Sequence, residues 1–281
     1  MRWQGSRRST NVQDYRGRRV GGPGLKLGVG GTLLALVAAY FLGIDPRLIM
    51  GVTESVPSGS APPPESGVPQ DEQGQFISAV LGETEDTWST LFAEHGGRYS
   101  PPTLVLFTGQ VRSACGFASA AVGPFYCPGD EKIYLDLGFY EELESRFQAP
   151  GDFAQAYVLA HEVGHHVQTL TGTSDRVRAA QRGASEQQAN ALQVRMELQA
   201  DCYAGVWAHH ADQSRQILES GDVEEALRAA SAVGDDTIQK RTQGYVVPDS
   251  FTHGSAEQRM AWFTRGLESG AVEACDTFGG N

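Results

Sequence analysis

The stretch HEVGHH, residues 161–166, decides how this chain is interpreted. If it lies on a helix, His161 and His165 are four residues apart and face the same side, where two imidazoles can hold one metal ion. Glu162, one step round the helix, is then placed to act on a water molecule at the metal rather than to bind the metal. Two other interpretations are a polar patch on a buried helix and an accident of composition. Residues far from the motif must distinguish between the three.

Local signals place the motif on a helix. Asp152 can cap a helix that ends near Gly172. Gly164 is unfavourable in a helix interior, which predicts that another element approaches closely at that position. His166 is turned about 100° from His165 on a helix, so we expect it to face solvent or to lie behind the ligands rather than to share the metal.

A catalytic zinc site needs a third protein ligand and leaves the fourth position to water. The segment ELQAD supplies Glu197 and, one turn later on the same face, Asp201. Both lie on a long helix that begins with a capping-box pattern at Ser185 and Gln188 and reaches about His209. Glu197 is the predicted third ligand, and Asp201 is predicted to hydrogen-bond a ligand imidazole and fix its tautomer. The alternative is a solvated acidic face, but the small apolar residues around Asp201 predict a buried carboxylate that needs a partner.

A hydrolytic site also needs a hydrogen-bond donor for the oxyanion that develops during the reaction. His253, in the segment SFTHGSAEQRM, supplies one if the fold brings it to the rim of the cleft, and Ser255 can cap the helix that follows. Tyr245, in QGYVVP, is a competing donor, and an ordinary surface or capping histidine is the other interpretation of His253. The sequence leaves this choice open.

The N-terminal composition predicts a membrane anchor. Residues 1–24 carry six arginines and one acid, and residues 27–44 form an uncharged apolar run that is long enough to cross a hydrocarbon core. By the positive-inside rule, residues 1–24 form a cytoplasmic tail, residues 25–45 cross the inner membrane once, and the rest lies outside. A cleaved signal peptide is the alternative. Residues 46–70, rich in Pro, Gly and Ser, are the predicted linker to a single domain at 71–281.

The charge distribution argues for contact with a bilayer and against binding of nucleic acid. The chain has a formal net charge of −12, and its arginines are concentrated in the N-terminal tail. An acidic body repels phosphates, which argues against nucleic-acid binding. We therefore expect contact with the lipid bilayer through residues 25–45. A peptide or protein substrate in the cell envelope is expected from the zinc site and its position outside the membrane, not from charge.

All four cysteines follow the apolar segment, in agreement with an exported domain. Cys115 and Cys127 flank a short loop and are favoured as a local pair, which leaves Cys202 and Cys275 as the second pair. Three pairings are possible in principle, and two buried free thiols are the alternative.

Strand patterns come before most helical ones, which predicts an α+β domain. The predicted strands are 103–107 (TLVLF), 118–122 (ASAAV) and 132–137 (KIYLDL), and further helices are predicted at 71–94, 222–233 and 255–268. The strand at 118–122 has small side chains, so we expect it to be the edge along which a peptide would add.

Several blocks of the sequence together resemble the neutral zinc metallopeptidases, a family of membrane-anchored bacterial proteins. The blocks are HEVGHHVQ, ELQADCYAGVWA, FTHGSAEQRM, SACGFASAAVGPFYCPGDEKIYLDL and the closing CDTF, and the resemblance extends from the initial MRWQG to the C-terminal tail. The His-Glu-x-x-His, Glu-x-x-x-Asp and Thr-His blocks, with an arginine six residues after the last histidine, are also similar to those of integral-membrane prenyl-protein endopeptidases.

The resemblance implies a zincin-like domain, with a small sheet beside active-site helices, that holds one Zn²⁺ per chain behind one N-terminal transmembrane helix. The implied site comprises the zinc ligands His161, His165 and Glu197, the general base Glu162, and Asp201 behind a ligand. His253 would stabilise the transition state, and Arg259 would brace that arrangement. These relatives have proline where this chain has Gly254, so the loop that carries His253 is expected to be more mobile.

The predicted function is that of a membrane-anchored, zinc-dependent endopeptidase in which Glu162 acts as general base on a zinc-activated water. The alternative, from another class, is a proteolytically silent binding or scaffold protein of the envelope with a structural zinc. A structural site is normally closed by a fourth protein ligand, whereas this motif leaves one position open. A structural zinc site would also give Glu162 no role.

Overall fold

Apolar segments in the N-terminal half build a five-stranded sheet. The computed structural model describes residues 1–17 and 65–279, and its strands are β1 Val12–Asp14, β2 Glu65–Ser66, β3 Thr103–Phe107, β4 Gln110–Ser113, β5 Gly116–Ser119, β6 Phe125–Cys127 and β7 Lys132–Asp136. The sheet order is β2-β1-β3-β7-β6, in which β3 runs parallel to β1 and β7 and the two outermost pairs are antiparallel. Strands β4 and β5 form a separate antiparallel pair.

Helices account for most of the remaining chain. Within the described residues they are α1 Glu72–Glu94, α2 Gly138–Ser145, α3 Asp152–Leu170, α4 Thr173–Gln181, α5 Glu186–Arg215, α6 Asp222–Ala232, α7 Asp235–Gln243 and α8 Ala256–Ser269. Capping boxes begin α5 at Ser185 and α8 at Ser255. A small sheet combined with these helices agrees with the predicted α+β class.

The predicted strand at 118–122 is only partly correct. Strand β5 ends at Ser119, and Ala120–Val122 is a 3-10 turn that Gly123 closes with a φ of 78°. The ladder with β4 ends at Ser119, so the next residues have no strand partner and turn away. The elements that the sequence did not predict are the short ones: β1, β2, β4, β6, α2, α4 and α7.

Two predicted helix ends also differ from the structure. Gly151, not Asp152, is the N-cap of α3, and Asp152 is the first helical residue with no capping bond of its own. Its carboxylate instead accepts from the α-amino group of Met1 at 2.7 Å. Helix α5 continues beyond His209 to Arg215: Ala211 is still buried, and Arg215 at the helix end pairs with Glu83 of α1 at 3.0 Å.

The core lies where the long helices pack on each other and on the sheet. Phe153 of α3 stacks on Trp207 of α5 with ring centroids 5.9 Å apart, and both side chains are fully buried. Helix α8 approaches α5 at backbone distance, since a Cβ atom added to Gly266 would lie 2.0 Å from the carbonyl oxygen of Cys202. Helix α8 thus lies along the middle of α5, and Arg259 in its first turn reaches Asp201.

Residues 1–16, termed the N-terminal arm, belong to the same folded unit as the domain. Strand β1 lies between β2 and β3, and Val12 is only 1% exposed. The N–H of Leu104 donates to the carbonyl of Asn11 at 2.8 Å, continuing the ladder beside β1. The domain therefore includes residues that the sequence assigned to a separate tail, and the predicted boundary at residue 71 is wrong.

Three of the four arginines of the N-terminal arm, Arg2, Arg7 and Arg16, pair with carboxylates of the domain. Arg7 lies 2.7 Å from Glu85, which is buried and also accepts from Ser9 and Asn11. Residues 1–16 and the domain share one sheet, so the expectation that the tail and the domain lie on opposite sides of a membrane does not fit these residues.

The predicted anchor at 25–45 and the linker up to residue 64 lie outside the described residues. In the part of the chain that the structure describes, no helix is both long enough and apolar enough to cross a bilayer. Membrane attachment through residues 25–45 therefore stays a prediction.

Both favoured disulfides are present. Cys115 is bonded to Cys127 and Cys202 to Cys275, and no cysteine is free. The first bond ties the segment after β4 to β6, and the second ties the segment after α8 to α5. The alternative of two buried free thiols is wrong.

Candidate metal centre

Three side chains converge between α3 and α5. The Nε2 atoms of His161 and His165 lie 3.2 and 3.5 Å from Oε2 of Glu197. The ligand atoms of this trio all lie within 4.8 Å of one another. Two imidazole nitrogens and one carboxylate at this spacing are the donor set of a catalytic zinc site, with one coordination position left open. The residues present therefore fit a zinc ion.

Close packing of α3 on α5 makes this convergence possible. A Cβ atom added to Gly164 would lie 3.0 Å from both Cα and the carbonyl oxygen of Ala200. Real Cβ contacts of that length are unfavourable, so glycine is required if the two helices are to stay this close. The predicted close approach at Gly164 is confirmed.

Asp201 lies directly behind His161. It is fully buried and its Oδ1 accepts from Nδ1 of His161 at 2.8 Å. Arg259 of α8 donates to the same carboxylate through Nε at 2.8 Å and through Nη2 at 2.9 Å. Tyr157 donates its hydroxyl to Oδ1 as well. With Nδ1 of His161 engaged as a donor, the lone pair of Nε2 is directed at the metal position.

Charge keeps the carboxylates of this site ionised. Burial raises the pKa of Asp201, but Arg259 and His161 outweigh it and hold that pKa at about 2. Burial likewise raises the pKa of Glu197, and the two histidines reverse the shift and hold it well below its usual range. An anionic Glu197 beside two imidazoles is ready to receive a divalent cation.

Two glutamines complete the support of the ligands. Nε2 of Gln193 donates to Oε1 of Glu197 at 2.8 Å, which leaves Oε2 facing the histidines. Oε1 of Gln168 lies 2.9 Å from Nδ1 of His165. The sequence analysis missed both residues and Tyr157. Their spacing was the available signal, because each lies three or four residues from one of the three candidate ligands.

A cavity of about 630 Å³ adjoins the ligands. Its walls include all three ligand side chains together with Glu162, which is 8% exposed. Strand β6 forms another part of the wall through Phe125 and Tyr126. A substrate in this cavity would therefore contact the ligands and the predicted general base at once.

His253 also lines the cavity, from the loop between α7 and α8. Its Nδ1 lies 3.1 Å from Oδ1 of Asp235, while its Nε2 has no hydrogen-bond partner among the described residues. The bond to Asp235 is the main cause of a raised pKa of His253. The imidazole thus has a donor nitrogen available for a ligand in the cavity.

Asp235 restrains the loop that carries His253. Its Oδ2 accepts from the backbone N–H groups of Thr252, His253 and Gly254 at 2.7, 2.6 and 3.1 Å. Gly254, expected to loosen this loop, has a φ of +91°, and a Cβ atom added to it would lie 3.2 Å from the side chain of Leu198. No local pattern pointed to Asp235, which begins α7 and is separated from His253 by the whole of that helix.

The other candidate donor and the spare histidine lie elsewhere. Tyr245 is 62% exposed and is not among the residues that line the cavity, so the geometry favours His253 as the donor. His166 does not join the ligands, as expected, but it does not face solvent either. It is fully buried: its Nε2 donates to the carbonyl of Ser100 at 2.6 Å, and Tyr126 donates to its Nδ1 at 3.1 Å.

Among the described residues one further group of potential ligand atoms is equally close, and it is all carboxylate: Asp152, Asp222 and Glu225. The α-amino group of Met1 lies 2.7 Å from Asp152 and 3.4 Å from Asp222. This cluster therefore already holds a cation. The histidine-containing trio is the better fit to zinc, which prefers nitrogen donors.

Comparison with known proteins agrees with this geometry. The family model described as "Putative neutral zinc metallopeptidase" matches residues 1–278. The chain is 49% identical to the uncharacterized protein YpfJ of Escherichia coli K12 over 289 aligned residues, covering 99% of each protein. It is 47% identical to the uncharacterized protein Rv2575 of Mycobacterium tuberculosis over 190 residues, covering 64% of this chain and 63% of the relative. No solved structure matches the chain.

Proposed function

Because the chain belongs to the neutral zinc metallopeptidase family, we propose that it is a zinc-dependent endopeptidase in which Glu162 is the general base. One observation carries the proposal. Glu162 lines the same cavity as His161, His165 and Glu197, and these three leave a coordination position open. A site built this way can take a water molecule and a peptide carbonyl together, which a closed structural site cannot.

His161, His165 and Glu197 would hold one Zn²⁺. When bound, zinc supplies a Lewis acid that acidifies water and polarises a carbonyl. Glu162 takes the proton of the attacking water and then delivers it to the nitrogen of the leaving amine. Asp201 and Arg259 keep His161 in the tautomer that presents Nε2, and Gln193 keeps Oε2 of Glu197 directed at the histidines.

His253 is proposed to stabilise the oxyanion. Its Nε2, which has no partner among the described residues, is the donor, and Asp235 favours the protonated imidazole by accepting from Nδ1. Because Asp235 also fixes the backbone around His253, little reorganisation is needed when the substrate enters. Arg259 is proposed to brace the site through Asp201 rather than to touch the substrate.

A peptide is proposed to add along β6 rather than along residues 118–122. Strand β6 pairs with β7 on one side only and is the last strand in the sheet order. Phe125 and Tyr126 of this strand line the cavity. An extended chain hydrogen-bonded to the free edge of β6 would place successive peptide bonds beside Glu162. Ala120 and Val122 line the cavity from the turn before β6 and would contact its side chains.

The folded unit is proposed to act outside the cytoplasm, in the cell envelope. The two disulfides support an oxidising compartment. Its substrates would then be peptides or proteins of the envelope, and residues 25–45 would attach the protein to the inner membrane. The N-terminal arm is proposed to lie on the same side as the domain, because the two share a sheet.

The test uses the full chain in detergent, loaded with zinc and incubated with a degenerate peptide library. Products are identified by mass spectrometry, and zinc is quantified by elemental analysis. Glu162→Gln is the matched variant, since it keeps the shape of the side chain and removes the base. We expect it to retain zinc and to lose about 10²–10⁴-fold in rate. Cleavage by Glu162→Gln at the wild-type rate would refute the role of Glu162.

Glu197→Ala tests the metal site in the same assay. Loss of the only carboxylate ligand should remove most of the zinc, because two imidazoles alone are a weak site. Full zinc occupancy in this variant would refute Glu197 as a ligand. Wild-type chain with full zinc and no cleavage of any library member would instead favour the silent binding or scaffold protein.

A further inference from the structure

The two imidazoles of the metal centre are supported in different ways. His161 is held by the charged pair of Asp201 and Arg259. His165 is held by the neutral amide of Gln168, with Oε1 of that amide 2.9 Å from Nδ1. An amide can face a histidine with either its oxygen or its nitrogen, and only the oxygen fixes the tautomer that a metal needs. Something must therefore set the orientation of Gln168.

The carbonyl of Met196 sets that orientation. Nε2 of Gln168 lies 2.7 Å from this backbone oxygen, which can only accept a hydrogen bond. The nitrogen of the amide must therefore face Met196, and the oxygen must face His165. Nδ1 of His165 then carries the proton, and the lone pair of its Nε2 is available for a metal ion held between His165 and Glu197.

Gln199 engages the second N–H of Gln168. Nε2 of Gln168 lies 3.1 Å from Oε1 of Gln199, and Nε2 of Gln199 lies 3.0 Å from the carbonyl of Cys275. This carbonyl is also an acceptor only, so the orientation of Gln199 is fixed as well. Both glutamine side chains are buried, and a flip of either one would set two acceptors against each other.

We propose that Gln168 and Gln199 are positioning residues that hold His165 as an Nε2 metal ligand, in a relay that begins at the carbonyl of Cys275. The relay has a single direction: Cys275 orients Gln199, Gln199 and Met196 orient Gln168, and Gln168 orients His165. Cys275 is itself bonded to Cys202, one residue after Asp201. The inference rests on the proposed zinc site.

The measurement is the zinc dissociation constant of the full chain, obtained by competition with a chromophoric chelator. Gln168→Met removes the acceptor at His165 and should weaken zinc binding by about 10–100-fold. The side chain of Gln199 contacts none of the three candidate ligands, so Gln199→Met should weaken zinc binding by a smaller factor. Gln155→Met is the matched control, because Gln155 lies on the same helix away from the ligands, and its dissociation constant should equal that of the wild type.

The double variant distinguishes a relay from a general loss of packing. If Gln199 acts only through Gln168, then Gln168→Met/Gln199→Met binds zinc as weakly as Gln168→Met alone. Losses that multiply in the double variant would overturn the relay, and so would an unchanged dissociation constant in Gln168→Met. Urea unfolding of each zinc-free chain shows whether a variant is folded. If Gln168→Met does not fold, the zinc affinity of Gln199→Met still tests the relay.

Zinc affinity is measured without turnover, so the outcome is separate from that of the proposed function. A chain that binds zinc through this relay yet cleaves no peptide refutes the endopeptidase and leaves the inference standing. A wild-type chain that takes up no zinc overturns both. A wild-type chain that cleaves peptides while Gln168→Met keeps its full zinc affinity overturns the relay alone.

Discussion

Cutting the chain at residue 71, the boundary that composition predicts, should unfold the domain or leave it marginally stable. Replacing residues 18–64 by a short Gly/Ser loop should not. Strands β1 and β2 are antiparallel, with Asp14 opposite Glu65, so a few residues can close them as a hairpin. The two shortened chains both lack residues 18–64 and differ chiefly in the N-terminal arm. Their comparison therefore measures what the arm contributes to stability.

The arm makes contacts worth about as much as the stability of a typical domain. Burial of the Val12 side chain contributes about 1.5–3 kcal/mol. Glu85 would lose its buried partners, at a cost of about 1–3 kcal/mol. Four main-chain hydrogen bonds contribute about 0.5–1.5 kcal/mol each, and they join Arg2 to Ile217, Ser9 to Ser78, Asn11 to Leu104 and Tyr15 to Leu106. The sum is about 8 kcal/mol, against about 5–15 kcal/mol for a whole domain.

Urea unfolding followed by far-UV circular dichroism measures the difference. The loop-replaced chain should unfold in one transition at a urea midpoint close to that of the full chain. The chain that begins at residue 71 should show no native baseline or a midpoint lowered by several molar. Equal midpoints for the two shortened chains would refute the reasoning, because the arm would then contribute nothing to the folded state.

Three further predictions concern the helices around the metal centre. Asp201→Asn leaves the buried Arg259 without its charge partner and should lower the free energy of unfolding by about 3–5 kcal/mol at neutral pH. The ionised Asp201 stabilises the fold above its ordinary pKa of 3.8, and this contribution is lost as the pH falls through about 2. The difference in unfolding free energy between the wild type and Asp201→Asn, measured in urea, should therefore shrink as the pH falls from about 3.8 to about 2. A difference that stays constant would contradict an ionised Asp201 paired with Arg259. Gly164→Val should push α3 away from α5 and lower the free energy of unfolding by about 1–3 kcal/mol. It should also reduce the zinc content, and full zinc occupancy in this variant would contradict the packing argument. Replacing Cys202 and Cys275 by serine opens a loop of 73 residues and should cost about 4 kcal/mol in urea unfolding. It should also weaken zinc binding, and an unchanged dissociation constant would show that the Cys275 carbonyl is held without the disulfide.

The residues that converge at the candidate metal centre could be predicted because each helix carries its own local pattern. The spacing of His161 and His165 fixes their common face on any helix, and the apolar surroundings of Asp201 imply burial whatever the fold. The same logic extends to Tyr157 and Gln193, each four residues from a ligand, although neither was identified. What spacing cannot supply is the partner on another helix, and Arg259 entered the site only through resemblance.

Asp235 shows where such reasoning ends. It lies well before His253 in the chain, at the start of a helix whose pattern is too short and too polar to be recognised. Its role depends on the distance between two loop ends that no periodicity describes. Strand β1 is a similar case, because Val12–Asp14 forms a strand by pairing with β3, which follows much later in the chain.

The N-terminal arm was misassigned because its charges were considered apart from those of the domain. Six arginines within residues 1–24 predict attraction to anionic lipid, and an acidic remainder predicts repulsion of phosphate. In the structure these are parts of one pattern, since Arg7 neutralises Glu85 and Arg16 neutralises Asp71. A basic tail beside an apolar segment is evidence for membrane topology only when its charges lack partners within the chain. Here the pairing also fixes where the chain leaves and re-enters the sheet, at Asp14 and Glu65 on neighbouring strands.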